Sequence, residues 1–110
     1  MKKIEAIVIP SKEKDIVDAL QKTGIGGLTI LSGKGRGKGR RLVKPGLGRY
    51  IERYNDVLTF VVVVDDSKVD VVSIITEASH TGSLGDGKIF VSTIDEIVDI
   101  TTKQKGEKYI

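Results

Sequence analysis

The 110-residue chain has no cysteine and no tryptophan, a single histidine, two prolines and only 5% aromatic residues. Without cysteine there is no disulfide, no thiolate metal centre and no cysteine nucleophile, although that absence alone does not fix the compartment. So few aromatics require an aliphatic core, and valine and isoleucine dominate it. No apolar run approaches the about 18 residues needed to span a bilayer. Met1-Lys2-Lys3 runs directly into a strand-like segment rather than a signal peptide, and we expect a cytoplasmic protein. The length suits a single domain, residues 1–110, with little core to spare.

What is present is unevenly spread. Residues 34–53 hold eight Lys or Arg, including all five arginines, against one acid, Glu52. The remainder carries ten basic and fourteen acidic groups, a net of −4, so a net charge of +3 conceals a basic loop on an acidic body. The loop is glycine-laced and too poor in apolar residues to pack a core of its own. A long loop inside so small a domain points to function. We expect a flexible loop over residues 36–54 that docks on a target, with Arg40, Arg41, Lys44, Arg49, Tyr50 and Arg53 as contact residues.

Around the loop the hydrophobic pattern is regular. Lys3 to Ile9 alternates as a strand, with Ile4, Ala6 and Val8 on one face and Glu5, Ile7 and Ile9 on the other. Pro10 ends it, and Ser11 is placed to cap a helix carrying Ile16, Val17 and Leu20 on one side. Gly24 suits the end of that helix, and Gly26-Gly27 turns the chain into a second strand, Leu28 to Leu31. Val57 to Val64 is apolar on both faces and belongs in the middle of a sheet. Asp65-Asp66-Ser67 breaks it and caps a second helix with Val69, Val72, Ile75 and Ala78 at helical spacing, ending near Thr81-Gly82. Gly85-Asp86-Gly87 is a tight turn before a fourth strand, Lys88 to Ser92. Residues 93–100 suggest a short strand or turn, and residues 102–110 a polar, mobile tail.

Two βαβ units flanking a loop predict an α+β, ferredoxin-like βαββαβ fold, a four-stranded antiparallel sheet with two helices on one face and the long basic loop between strands two and three. Two short helices cover one face only. A third strand apolar on both sides therefore calls for cover from further copies of the chain.

Enzyme signatures are weak, and we expect no catalysis. His80 stands alone beside a helix end, and Asp65-Asp66 reads as a helix start rather than a metal site. A Walker A loop fails because Ser32 stands in place of glycine and Gly39 follows Lys38. The G-x-G-x-x-G fingerprint fails because Lys38, Arg40 and Leu42 occupy the third glycine position. The basic loop suits RNA, an anionic surface or an acidic protein patch, and a module binding nucleic acid or an anionic surface is the alternative reading. Against nucleic acid, only Tyr50 and Tyr54 accompany the charges as stacking residues. The turn Thr81 to Lys88 offers successive backbone N–H groups and a lysine at a strand start, a nest for an anion.

The run Thr81-Gly82-Ser83-Leu84-Gly85-Asp86-Gly87-Lys88-Ile89-Phe90-Val91 resembles the C-terminal signature of the P-II nitrogen-regulatory signal-transduction family. Lys2 to Val8, Gly24-Ile25-Gly26-Gly27-Leu28-Thr29, Lys34-Gly35-Arg36-Gly37-Lys38 and the valine strand ending in Asp65-Asp66 fall at the same spacing as the family's. The resemblance implies a homotrimer that binds ATP or ADP in clefts between neighbours, Mg2+ accompanying ATP. It also implies a loop that contacts a membrane transporter or metabolic enzyme. It places Ile7, Gly27, Leu28, Thr29, Gly35 and Val62 around the adenosine. Arg36, Gly37 and Lys38 at the loop base, with Gly85, Asp86, Gly87 and Lys88, meet the phosphates.

The departures are specific. The loop reads Gly48-Arg49-Tyr50-Ile51-Glu52-Arg53-Tyr54, two residues shorter than the family's, which makes Tyr50 a poor candidate for modification. Gly39 replaces the glutamine that orients magnesium and 2-oxoglutarate, and Asp56 replaces the lysine that grips 2-oxoglutarate. Asp99 and Thr101 stand where the family places two phosphate-binding arginines. The expectation is a nucleotide-binding regulator that has lost its 2-oxoglutarate response.

Overall fold

The computed structural model describes residues 1–37, 42–43, 50–51, 54–68 and 70–110. Strand β1 spans Lys2–Val8 and leads through a 3-10 turn, Pro10–Lys12, into helix α1, Glu13–Gln21. Strand β2 is Thr29–Gly35, two short strands follow as β3, Leu42–Val43, and β4, Tyr50–Ile51, and the long strand β5 is Asn55–Val64. Helix α2, Val71–Ser79, and strand β6, Gly87–Thr93, complete the order. β2, β5, β1 and β6 lie side by side in that order, every pair antiparallel. This is the ferredoxin-like arrangement, with the chain between β2 and β5 holding the separate β3–β4 pair.

Alternation along β1 and β5 builds a one-sided core. Ile4, Ala6 and Val8 of β1 and Leu58, Phe60, Val62 and Val64 of β5 point toward the helices, where Ile16 and Leu20 of α1 and Val71 and Ile75 of α2 meet them. Phe60 is its largest member and is fully buried. The opposite face carries Thr29 and Leu31 of β2, Val57, Thr59, Val61 and Val63 of β5, Ile7 of β1 and Phe90 of β6, by the same alternation and register. Among the described residues no helix lies over it, and Leu31 and Phe90 are 54% and 52% exposed.

The expected cap of α1 is corrected. Ser11 makes no side-chain cap; Pro10 opens a 3-10 turn, where its missing N–H is no loss, and Lys12 stands at the start of α1. Helix α2 ends at Ser79 with His80 as its C-cap, next to Thr81-Gly82 as expected, and the Asp86 carboxylate takes the Thr81 and Gly82 N–H groups into the loop that follows. Val69 lies outside the described residues.

The C-terminal stretch expected to be mobile is folded instead. The Asp99 carboxylate accepts the Thr102 N–H at 2.9 Å, Val98 and Lys105 form a bridge, and the Gly106 N–H reaches the Ile97 carbonyl at 3.2 Å. A final 3-10 turn, Glu107–Tyr109, follows, and the Ile110 carbonyl sits over Gly26. No helix among the described residues is long and apolar enough to cross a membrane.

Candidate nucleotide site and loop stem

Thr81 to Lys88 joins α2 to β6 and is shaped by glycines. Gly82, Gly85 and Gly87 have φ of +86°, +93° and +118°, a region that a side chain strains. At Gly87 the constraint is also steric, since a Cβ would lie 1.9 Å from the Ile7 carbonyl oxygen. That approach seats the start of β6 against β1, where Lys88 pairs with Ile7 in the ladder. Lys88 and Ile7 therefore share the uncovered face of the sheet.

The Asp86 carboxylate turns back into its own loop. Its Oδ2 accepts the backbone N–H of Thr81 at 2.8 Å and of Gly82 at 2.9 Å, and its Oδ1 accepts the Thr81 hydroxyl. The Ser83 N–H donates to that hydroxyl oxygen at 3.2 Å. The Thr81 hydroxyl foremost, then the Thr81 backbone N–H, hold the Asp86 carboxyl below the usual carboxylate range, with smaller help from Gly82 and His80. The first three N–H groups of the expected anion nest are thus occupied by groups of the same loop.

His80 is largely exposed, its Nδ1 3.8 Å from Asp86 Oδ2, a weak partner to the loop when protonated. A hollow of about 260 Å³ lies on the helix side of this loop, between Val72, Thr76, Ser79, Asp86 and Ile89. Gly82 to Lys88 does repeat the Gly-four-residues-Gly-Lys spacing of a phosphate loop. Ile89 replaces the hydroxyl residue, however, and a strand rather than a helix follows.

The other expected contacts collect at the far edge. Gly27 is exposed just before β2, Thr29 lies on the uncovered face, and Leu28 packs partly against the core. Gly35 closes β2 over the Val57 side chain. Arg36 lies 5.9 Å from the ring centroid of Tyr54, and Gly37 follows. Val62 is 1% exposed, its side chain beneath the helices, which leaves its main chain for any ligand contact, while Val61 and Val63 face outward. Asp56 is exposed and pairs in register with Lys34.

Lys38, Arg40, Arg41, Lys44, Arg49 and Arg53 lie outside the described residues, as does Gly39. Tyr50 is in β4, where only the backbone is described. Ile7 and Val62 lie on the central strands β1 and β5, and the remaining described candidates gather at the opposite edge strands, β2 and β6, three strand spacings or about 14 Å apart. One chain does not bring them together. The carboxylate clamp from Thr81 to Asp86 was missed in the sequence, although a hydroxyl residue five positions before an aspartate, across glycines, was its visible trace.

The chain is a ferredoxin-like domain with glycine turns at both sheet edges and a long basic insertion between its second and third ladder strands. Comparison with known proteins makes the assignment specific. The sequence profile of the nitrogen regulatory protein P-II family matches residues 1–104. Nitrogen regulatory protein P-II of Azospirillum brasilense is 41% identical over 109 residues, 96% of each chain. The nitrogen fixation nifHD region glnB-like protein 1 of Methanococcus maripaludis is 40% identical over 106 residues, 96% of this chain and 99% of its own. That of Pyropia yezoensis, another nitrogen regulatory protein P-II, is 41% identical over 104 residues, 93% of each. The chain belongs to the P-II family of signal-transduction proteins that regulate nitrogen metabolism.

Proposed function

We propose that the protein is a cytoplasmic, non-catalytic regulator that binds an adenine nucleotide, ATP or ADP, between copies of itself in a homotrimer. It acts on a membrane transporter or metabolic enzyme through the basic loop of residues 36–54. The observation that carries this reading is the separation of the candidate contacts. Gly27, Thr29, Gly35, Arg36 and Gly37 stand at the β2 edge, while Ile7, Gly85, Gly87 and Lys88 stand toward β6. A nucleotide touching both sets needs the β2 edge of one copy beside the β6 edge of the next.

The uncovered sheet face supports that assembly. Leu31, Val57, Val61, Val63, Ile7 and Phe90 form an apolar surface that water would otherwise meet, and a second copy is its simplest cover. Mg2+ would accompany ATP, supplying charge neutralisation at the phosphates.

Response to 2-oxoglutarate is lost. Asp56, an exposed carboxylate, faces any such dianion with the wrong sign. The loop's seven cations suit an acidic partner surface, with association that weakens as salt rises.

Calorimetric titration with ATP and ADP, with and without Mg2+ and 2-oxoglutarate, tests the proposal. We expect nucleotide binding that 2-oxoglutarate leaves unchanged and that Lys88→Ala weakens by tenfold or more. Unchanged affinity in Lys88→Ala removes the site, and a clear gain with 2-oxoglutarate restores the ordinary nitrogen sensor.

A further inference from the structure

We infer that Thr81 and Asp86 are positioning residues for Lys88, holding a glycine-hinged loop in the one shape that presents the lysine to a nucleotide phosphate. The inference rests on the nucleotide reading above and adds residues that do not touch the ligand. Three glycines with positive φ, Gly82, Gly85 and Gly87, lie within six residues, so the backbone itself does little to hold the loop. Gly87 must nevertheless keep its close approach to the Ile7 carbonyl for Lys88 to stay in register beside Ile7.

The restraint comes from the Asp86 carboxylate. It gathers the Thr81 N–H at 2.8 Å, the Gly82 N–H at 2.9 Å and the Thr81 hydroxyl. These bonds tie the exit of α2 to the residue immediately before Gly87, which closes the loop at its two ends. The Thr81 hydroxyl has a double part, since its oxygen also accepts the Ser83 N–H at 3.2 Å. Removing it loosens both halves of the loop while leaving Lys88 in place chemically. Binding then falls because the free protein must select the closed loop from many, a cost met before any contact with ligand forms.

The test reads the clamp and the ligand separately. In the full-length protein, the Thr81 and Gly82 amide NMR signals should follow one acid ionisation, and Asp86→Asn should abolish it. By calorimetry, Thr81→Val should weaken ADP binding roughly tenfold, and Thr81→Ser, which keeps the hydroxyl, should hold it within about twofold of the parent. Asp86→Asn, which keeps one acceptor oxygen, examines the same bonds if Thr81→Val does not fold, and should also weaken ADP. A parent protein that binds ADP and a folded Thr81→Val that binds it equally well overturn the inference. A parent protein that binds neither ADP nor ATP, with the amide ionisation intact, shows instead that the nucleotide reading is wrong, and the positioning role falls with it.

Discussion

Gly87 and Gly33 are both glycines in or beside strands, yet their neighbours set opposite demands. A Cβ at Gly87 meets the Ile7 carbonyl oxygen at 1.9 Å with φ at +118°, whereas at Gly33 nothing lies within 4 Å. Gly87→Ala should therefore cost roughly 2–4 kcal/mol, through backbone strain and displacement of β6 from β1. Gly33→Ala should stay within about 0.5 kcal/mol of the parent. Urea denaturation of the two variants separates them. Lys103 makes the converse case, a side chain held at φ +62° in the turn after Asp99. Lys103→Gly relieves that conformation but frees the unfolded chain, and should stabilise by up to about 1 kcal/mol, visible as a small rise in the urea midpoint.

Asp86 belongs to the same scale. Its folded carboxyl titrates below the ordinary range because the Thr81 hydroxyl and N–H favour the charged form. Its contribution to stability is therefore complete above the unfolded carboxylate range, and is lost as pH falls through the lower folded value. The stability gap between the parent and Asp86→Asn should be constant near neutral pH and shrink on acidification. A gap that widens toward acid would contradict the assignment.

At the scale of elements, the sheet distinguishes two phenylalanines that composition treats alike. Phe60 is fully buried under α1 and α2, and Phe90 is 52% exposed on the uncovered face. Phe60→Ala should destabilise the fold by about 3–5 kcal/mol. β1 was legible in the sequence because alternation is a local property, and Ile4, Ala6 and Val8 declared a shared face directly; β5 was legible as an apolar run, but one apolar on both faces could not say which side Phe60 takes. Helix ends were less legible. Ser11 has the chemistry of a cap, but Pro10 at the head of a 3-10 turn shifted the helix start to Glu13. Residues 102–110 look solvated in composition, yet the Asp99 turn and the approach of Ile110 to Gly26 fold them onto the body.

At the scale of the whole molecule, the unresolved demand of the fold is its second face. Leu31 and Phe90 stand on opposite edge strands, exposed on the same side. Under the proposed assembly they are covered, so a paired Leu31→Asp and Phe90→Asp substitution should give a monomer by sedimentation while each chain keeps its helix-side core. The same variant should lose nucleotide binding, because the β2 and β6 contacts come from different copies. A variant that stays trimeric would place the interface elsewhere.

The sequence by itself determined the ferredoxin-like order, the one-sided aliphatic core, the concentration of all five arginines in one insertion, and the family. These follow from periodicity, composition and motif spacing, which neighbouring residues carry without reference to distant ones. Only the tertiary structure decided that Val62 faces the core and that the Asp86 carboxylate turns back to Thr81. It likewise decided that the candidate contacts of the β2 end and of the turn at residues 85–88 lie at opposite edges of the sheet. The reason is that a side chain's direction and a strand's neighbours depend on register across the sheet, where β1 comes to lie between β5 and β6.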